Sequence, residues 1–153
     1  MKSCFLFGHR DTPGDIVDRL SEAMIRHHLA LDIRTFVIGH YGAFDRTAVI
    51  AAQKVKLLYA DTHFLLLLPY HPTVHSVELP DGFDGTLYLE GMEAVPPKAA
   101  IVRANQLMVQ KASSIICYVN RPGNARNLLE HAIKKSQKEA FCIENLASNI
   151  KKN

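Results

Sequence analysis

Short apolar runs alternate along this chain with longer segments in which apolar residues recur at helical spacing. The runs Cys4–Phe7, Thr35–Ile38, His63–Leu68 and Ser114–Val119 predict buried strands, and Ala140–Ile143 predicts a last, shorter one. His63–Leu68 is too short for a typical helix and almost continuously apolar, which is typical of a strand covered on both faces and favours a place near the sheet centre.

Four segments between these runs have the apolar spacing of amphipathic helices. The first helix follows Thr12, its candidate N-cap, the third covers about 98–112, and the fourth follows the turn at Asn124. The inward positions predicted for the four are Ile16, Leu20, Ala23 and His27; Phe44, Ala48, Ala51, Val55 and Leu58; Ile101, Ala104, Leu107 or Met108, and Lys111; and Leu128, Leu129, Ala132 and Ile133.

Because strands and helices alternate, the sequence predicts an α/β protein, with a Rossmann-like, doubly wound and mainly parallel sheet flanked by helices. The proline- and glycine-rich segment 70–98, in which only Thr86–Leu89 looks extended, is expected to be a long loop of the kind that often forms a lid or a contact. Residues 1–147 are predicted to form a single domain, and 148–153 a polar tail.

Composition narrows the class of protein. A chain of 153 residues that is 48% hydrophobic is long enough to bury one core. Its net charge is only +3, and most of its basic residues are scattered along the chain, which argues against a nucleic-acid partner. No leader precedes the first strand and no apolar stretch approaches ~20 residues, so a cytoplasmic protein without a membrane partner is expected. Cys4, Cys117 and Cys142 lie in separate strand-like runs and are interpreted as buried, reduced thiols.

Three turns are candidates for a ligand site. In a parallel sheet, ligands bind outside the carboxyl ends of the strands, where helix N-termini offer free N–H groups. The turns Gly8–Arg10, Gly39–Gly42 and Arg121–Asn124 all follow predicted strands and combine glycine with hydrogen-bond donors, which suits a phosphate or a ribose. The structural alternative is that glycine ends strands in most α/β proteins.

Other chemistries are less well supported. The chain has no G-x-G-x-x-G after a strand, no P-loop and no G-x-S-x-G. His27 and His28 are adjacent on a helix, while His71 and His75 lie in a loop, so no metal site is expected and the cofactor stays open. Ser113 and Ser114 favour capping over nucleophilic catalysis.

At these turns the sequence resembles the SLOG superfamily, a Rossmann-like lineage that includes LOG-type nucleotide phosphoribohydrolases and Smf/DprA DNA-processing proteins. It resembles most strongly the YpsA-like family, through Cys4–Arg10, Gly39–Asp45 with Ala48, and Arg103–Met108 ahead of Ser113. The resemblance covers nearly the whole chain and implies a nucleotide-derived ligand and a homo-oligomer. The expected ligand-binding residues are Gly8, His9, Arg10, Gly39, His40, Gly42, Asp45, Asn105, Pro122, Gly123, Asn124 and Asn127.

The resemblance also suggests catalytic residues. LOG-type enzymes carry P-G-G-x-G-T-x-x-E, and Pro122–Glu130 keeps the Pro-Gly and the final glutamate but not the other two glycines or the threonine. Glu130 is the candidate that would stabilise the cation formed at a ribose C1′; the alternative is an exposed glutamate pairing with Lys134. The family's catalytic arginine matches Arg103 with an offset, because ungapped counting places Asn105 there.

Three functions remain open from the sequence. The first is a domain that binds a nucleotide or nucleotide-derived small molecule without reaction. The second is a hydrolase that cleaves the N-glycosidic bond of a nucleoside monophosphate or an ADP-ribose-like substrate, and the third is a DNA-associated module, which the mild charge disfavours. Asp45 has two interpretations within the first function, since it could bind a ribose hydroxyl or only favour the dipole of its helix.

Overall fold

A computed structural model describes residues 2–149 of the chain. The strands are β1 (Ser3–Gly8), β2 (Thr35–Ile38), β3 (His63–Leu67), β4 (Gly85–Leu87), β5 (Ser114–Tyr118) and β6 (Cys142–Asn145). The helices are α1 (Val17–Leu31), α2 (Ala43–Leu58), α3 (Ala100–Lys111), α4 (Asn124–Ser136) and the short α5 (Leu146–Asn149). Three 3-10 turns cover Gly14–Ile16, Met92–Ala94 and Pro97–Ala99.

The six strands form one sheet in the order β4-β3-β2-β1-β5-β6, and every pair is parallel. Helices α1 and α2 pack together on one face of the sheet, and α3 and α4 pack on the other. The prediction of a doubly wound, parallel, Rossmann-like sheet is therefore confirmed.

The core has two layers because successive side chains of a strand point to opposite faces. On β1, Cys4 and Leu6 pack toward α1 and α2, whereas Phe5 and Phe7 pack toward α3 and α4. All four side chains are buried, as the continuously apolar run predicts for a central strand.

β1 marks the place in the sheet where neighbouring strands are followed by helices on opposite faces. β1 lies between β2 and β5, with Phe5 opposite both Val37 and Ile115. The connection after β1 leads to α1 on one face, and the connection after β5 leads to α4 on the other. A crevice therefore opens at the carboxyl ends of β1 and β5, where such sheets bind ligands.

Several local predictions were wrong. Thr12 is not a helix cap: α1 begins after the 3-10 turn without a side-chain cap, and the Thr12 hydroxyl instead donates to the His9 carbonyl over 2.6 Å. Leu58 is 69% exposed because it is the last residue of α2, and Ile133 is 42% exposed on α4.

Two further predictions differ from the structure because of where the strands lie in the sheet. Cys142, predicted to be buried, is exposed because β6 is an edge strand, whereas Cys4 and Cys117 are buried as predicted. β3 lies next to the other edge strand and not at the centre of the sheet. Of the predicted polar tail, Ser148 and Asn149 belong to α5, and 150–153 lie outside the described residues.

No helix in the part of the chain that the structure describes is both long and apolar enough to cross a membrane.

Candidate ligand-binding site

A cavity of about 160 Å³ lies at the carboxyl ends of the central strands. Its apolar wall includes Phe5 and Phe7 of β1, Leu67 of β3, Ala104 of α3 and Leu128 of α4. Since a water molecule needs ~10–15 Å³ on this measure, the cavity has room for on the order of ten waters. It therefore accommodates one polar moiety of a small molecule with an apolar face against the sheet.

Seven of the twelve predicted ligand-binding residues line this cavity. They come from the turns after β1 and β2, from the first turns of α2 and α4, and from α3, and the structure brings them together as expected at the strand ends of one parallel sheet. These residues are Gly8, Arg10, Gly39, Asp45, Asn105, Asn124 and Asn127. The other five, His9, His40, Gly42, Pro122 and Gly123, belong to the same turns but are not among the lining residues.

Gly8 and Gly39 let α2 approach the strand ends closely. A Cβ atom at Gly8 would lie 2.4 Å from the Phe44 ring, and one at Gly39 would lie 2.7 Å from Oδ2 of Asp45. Side chains at these two positions would push the start of α2 away from the sheet. The glycines therefore serve packing between α2 and the strands as well as the shape of the cavity.

At Gly42, the turn after β2 packs closely against the turn after β1. Its φ of 100° is a backbone conformation that favours glycine, and a Cβ there would meet Arg10 at 3.1 Å. The next residue, Ala43, donates its N–H to the Arg10 carbonyl over 2.6 Å. Arg10 is thus anchored through its backbone, while its side chain lines the cavity.

Asp45 has a carboxylate in the cavity wall. Oδ2 accepts the backbone N–H of Tyr41 over 2.9 Å. Burial raises the pKa of Asp45 to about 7, although the Tyr41 N–H and the charges of Arg46 and Arg10 act in the opposite direction. The carboxyl group can therefore exist in either protonation state near neutral pH.

His9 positions the turn after β5. Its buried ring accepts the backbone N–H of Asn120 at Nε2 over 3.1 Å, and its own carbonyl accepts the N–H and hydroxyl of Thr12. Burial, followed by the positive charge of Arg121, lowers the pKa of His9 and favours the neutral ring that this hydrogen bond requires. Arg121 and Asp11 form an ion pair across the same two turns.

Arg10 and Arg126 lie near these turns and have no ion-pair partner among residues 2–149. Arg10 lines the cavity, and Arg126 lies in the first turn of α4. The Nε atom of Arg126 is buried without a hydrogen-bond partner among the described residues. Together with the N-terminus of α4, they make this edge of the sheet favourable for an anion.

His40 lies beside the cavity. Its ring packs against that of Tyr41, with ring centroids 4.2 Å apart. Burial lowers the pKa of His40, and its Nδ1 is buried without a partner among the described residues.

The two predicted catalytic residues lie away from the cavity lining. Glu130 is exposed on α4, and Arg103 is exposed on α3, where it donates to the Gln106 side chain over 3.4 Å. No ion pair joins Glu130 to Lys134 in the part of the chain that the structure describes. Their catalytic role stays a prediction.

Sequence reasoning missed other lining residues. Tyr41 and Gln106 both lie next to predicted residues, and Pro69, Ile101 and Val102 complete the wall. Tyr41 belongs to a turn identified from its glycines, but glycine spacing does not indicate which side chain of a turn faces inward. Gln106 follows Asn105 directly, and the polar pair within an amphipathic helix is the one signal that could have found it.

Within residues 2–149, no group of three or more His, Cys, Asp and Glu side chains is arranged to hold a metal ion. No protein-family model matches this chain, and no curated protein sequence matches it.

Proposed function

We propose that the protein binds a nucleotide or nucleotide-derived small molecule in the cavity at the carboxyl ends of its strands. The observation that carries the proposal is the convergence of Arg10, Asp45, Asn105 and Asn124 on one partly apolar cavity at the point where the two halves of the sheet diverge. Open α/β sheets bind their ligands at such points.

The charges at the cavity support an anionic group on the ligand. Arg10 has no carboxylate partner among the described residues, and the α4 N-terminus begins at Asn124 in the cavity wall. A phosphate there gains hydrogen bonds from the guanidinium and from backbone N–H groups at the positive end of the helix dipole. Gly123, with φ of 140°, directly precedes the helix and leaves its first N–H groups uncovered by a side chain.

The apolar part of the cavity supports a ligand with a flat or weakly polar face. Phe5, Phe7 and Leu128 offer such a surface opposite the polar side chains. A ribose or a base has one face that packs on apolar groups and an edge that forms hydrogen bonds, which fits a wall divided in this way.

We propose binding without reaction. The two side chains that would carry glycosidic cleavage, Glu130 and Arg103, are exposed and do not line the cavity. A general acid or a stabilising carboxylate must lie within hydrogen-bond reach of the reacting atoms.

A thermal-shift screen tests the proposal. The panel contains the nucleoside monophosphates, NAD, ADP-ribose and cyclic nucleotides, and a ligand at ~100 times its dissociation constant should add ~2.7 kcal/mol to the free energy of unfolding. Each ligand that raises Tm is then incubated with the protein and assayed for free base. We expect stabilisation by at least one nucleotide, which is recovered intact.

Two variants locate the site. Arg10→Gln keeps the Cβ and Cγ that pack against Gly42 but removes the charge, and should weaken a phosphate-bearing ligand by about tenfold or more. Arg34→Gln removes an exposed charge that pairs with Asp32 just before β2 and should leave affinity unchanged. No Tm shift with any nucleotide, or equal losses in the two variants, would contradict the proposal.

A further inference from the structure

The Asp45 carboxylate is held by a contact outside its own helix. Oδ2 accepts the N–H of Tyr41, which precedes α2, and α2 begins without a side-chain cap. A Cβ at residue 39 would lie 2.7 Å from Oδ2, too close for this orientation of the carboxylate, so Gly39 is needed there. The carboxylate is therefore fixed in place by the turn after β2 and does not cap its helix.

The second oxygen of Asp45, Oδ1, is available for a further hydrogen bond. Oδ1 has no hydrogen-bond partner among the described residues, yet it is not among the buried unpartnered atoms, so it is accessible. Asp45 lines the cavity and is only partly exposed. An acceptor oxygen that is held in a partly apolar wall raises the free energy of the folded protein unless a donor forms a hydrogen bond with it.

The neighbouring groups do not supply that donor. The charges of Arg46 and Arg10 lower the pKa of Asp45, but neither side chain forms a hydrogen bond or an ion pair with it among the described residues. The other polar groups of the wall, Asn105 and Asn124, have no recorded bond to Asp45. The missing partner must therefore come from water or from the ligand.

We infer that Asp45 accepts a hydrogen bond from a ligand hydroxyl, and that the cavity thereby selects a ribosyl phosphate over its 2-deoxyribosyl counterpart. This inference rests on the proposed function, because it names the sugar that the same cavity binds. A sugar hydroxyl is a donor that a carboxylate binds strongly in a partly apolar wall. Repulsion from the ionised carboxylate disfavours a phosphate next to Asp45, whereas the positive charge of Arg10 favours one.

Three probes and two variants test the inference by isothermal titration at about pH 8, which is above the raised pKa of Asp45 of about 7. The probes are ribose 5-phosphate, 2-deoxyribose 5-phosphate and inorganic phosphate. Asp45→Asn keeps an oxygen for the Tyr41 N–H and nearly the same shape. Asp32→Asn removes the same charge just before the amino end of β2, where φ of 55° is a conformation that asparagine accepts.

We expect the unaltered protein to bind ribose 5-phosphate at least about tenfold more tightly than the deoxy sugar. Asp45→Asn should remove that preference while inorganic phosphate binds equally well or better, because a nearby negative charge is gone. A purely structural role for Asp45 predicts instead that all three probes weaken together. Asp32→Asn should behave like the unaltered protein.

The outcomes separate this inference from the proposed function. Equal affinity for the two sugars, or a preference that survives in Asp45→Asn, overturns the inference and leaves a nucleotide site standing. If none of the three phosphates binds and the nucleotide panel gives no Tm shift, both the inference and the proposed function are wrong.

Discussion

Nδ1 of His27 lies 2.8 Å from the Ser114 hydroxyl oxygen, in the buried layer between α1 and the sheet. The other ring nitrogen, Nε2, lies 3.1 Å from Oε1 of Glu144, which also pairs with Arg26. These contacts join α1 to β5 and to the edge strand β6. Because Ser114 is fully buried at the start of β5, far from the cavity at the strand ends, the arrangement serves stability.

Ser114→Ala should lower the free energy of unfolding by ~1–3 kcal/mol, because it leaves the buried Nδ1 of His27 with only the weak contact to the Cys4 Sγ atom at 3.8 Å. Urea unfolding followed by circular dichroism measures the change. Ser136→Ala removes an exposed hydroxyl that bonds only within α4 and should cost little. Equal effects of the two substitutions would mean that the His27 contact contributes nothing.

The ionisation of Glu144 should make the stability of the fold depend on pH in the acidic range. The hydrogen bond from His27, followed by the one from Arg26, lowers the pKa of Glu144 below its ordinary value of 4.5. A carboxyl group with a lowered native pKa stabilises the protein above the unfolded-state pKa, and this contribution is lost as pH falls through the native pKa. Glu144→Gln should therefore reduce Tm at neutral pH and have little effect below about pH 3, which calorimetry across that range would detect. A constant difference in Tm across the range would refute this prediction.

Asp45 should have the opposite effect on stability. Its native pKa is raised to about 7 from 3.8, so unfolding releases a proton between these values and stability falls as pH rises through that window. Asp45→Asn should leave stability nearly unchanged near pH 4 and raise it by on the order of 2–4 kcal/mol near pH 8. Chemical denaturation at the two pH values measures this, with Asp32→Asn as the control; an Asp45→Asn protein that is no more stable near pH 8 would show that burial does not disfavour the charge.

Gly8→Ala should destabilise the start of α2. The new Cβ would overlap the Phe44 ring, and overpacking of this kind costs ~1–3 kcal/mol. Gly14→Ala is the matched control, because a Cβ at Gly14 meets nothing within 4 Å. Thermal unfolding of both variants compares them directly, and a Gly8→Ala protein as stable as Gly14→Ala would mean that Phe44 moves aside freely.

The position of the cavity, the candidate site, could be predicted from the sequence for a simple physical reason. The carboxyl ends of parallel strands meet at one edge, so any polar turn that follows a strand is brought there, as happens to Arg10, Asp45 and Asn124. Four of the strand-like runs need only their apolar character to be recognised, because both faces of these strands are covered by helices.

The orientation of single side chains and the exposure of helix ends and edge strands depend on tertiary packing, which the local sequence pattern does not encode. His9 and Arg10 are neighbours in sequence, yet the His9 ring is buried against Asn120 whereas Arg10 lines the cavity. Leu58 continues the apolar spacing of α2 but lies where the helix ends, beyond the edge of the core. Cys142 belongs to a strand with a neighbour on one side only, and edge positions cannot be identified before the strand order is known.

The placement of β1 between β2 and β5 also constrains how the molecule is assembled. β2 and β3 join β1 through successive crossovers, but β5 must return from far along the chain: the hydrogen bond from the Ser3 N–H to the Ser113 hydroxyl spans 110 positions. Contacts of such high sequence separation form slowly because the intervening loop must first close. Since α4 supplies part of the cavity wall, a nascent chain that stops before β5 has four of the six strands but an incomplete cavity. The cavity is therefore complete only when the segment from β5 onward has docked on the earlier strands.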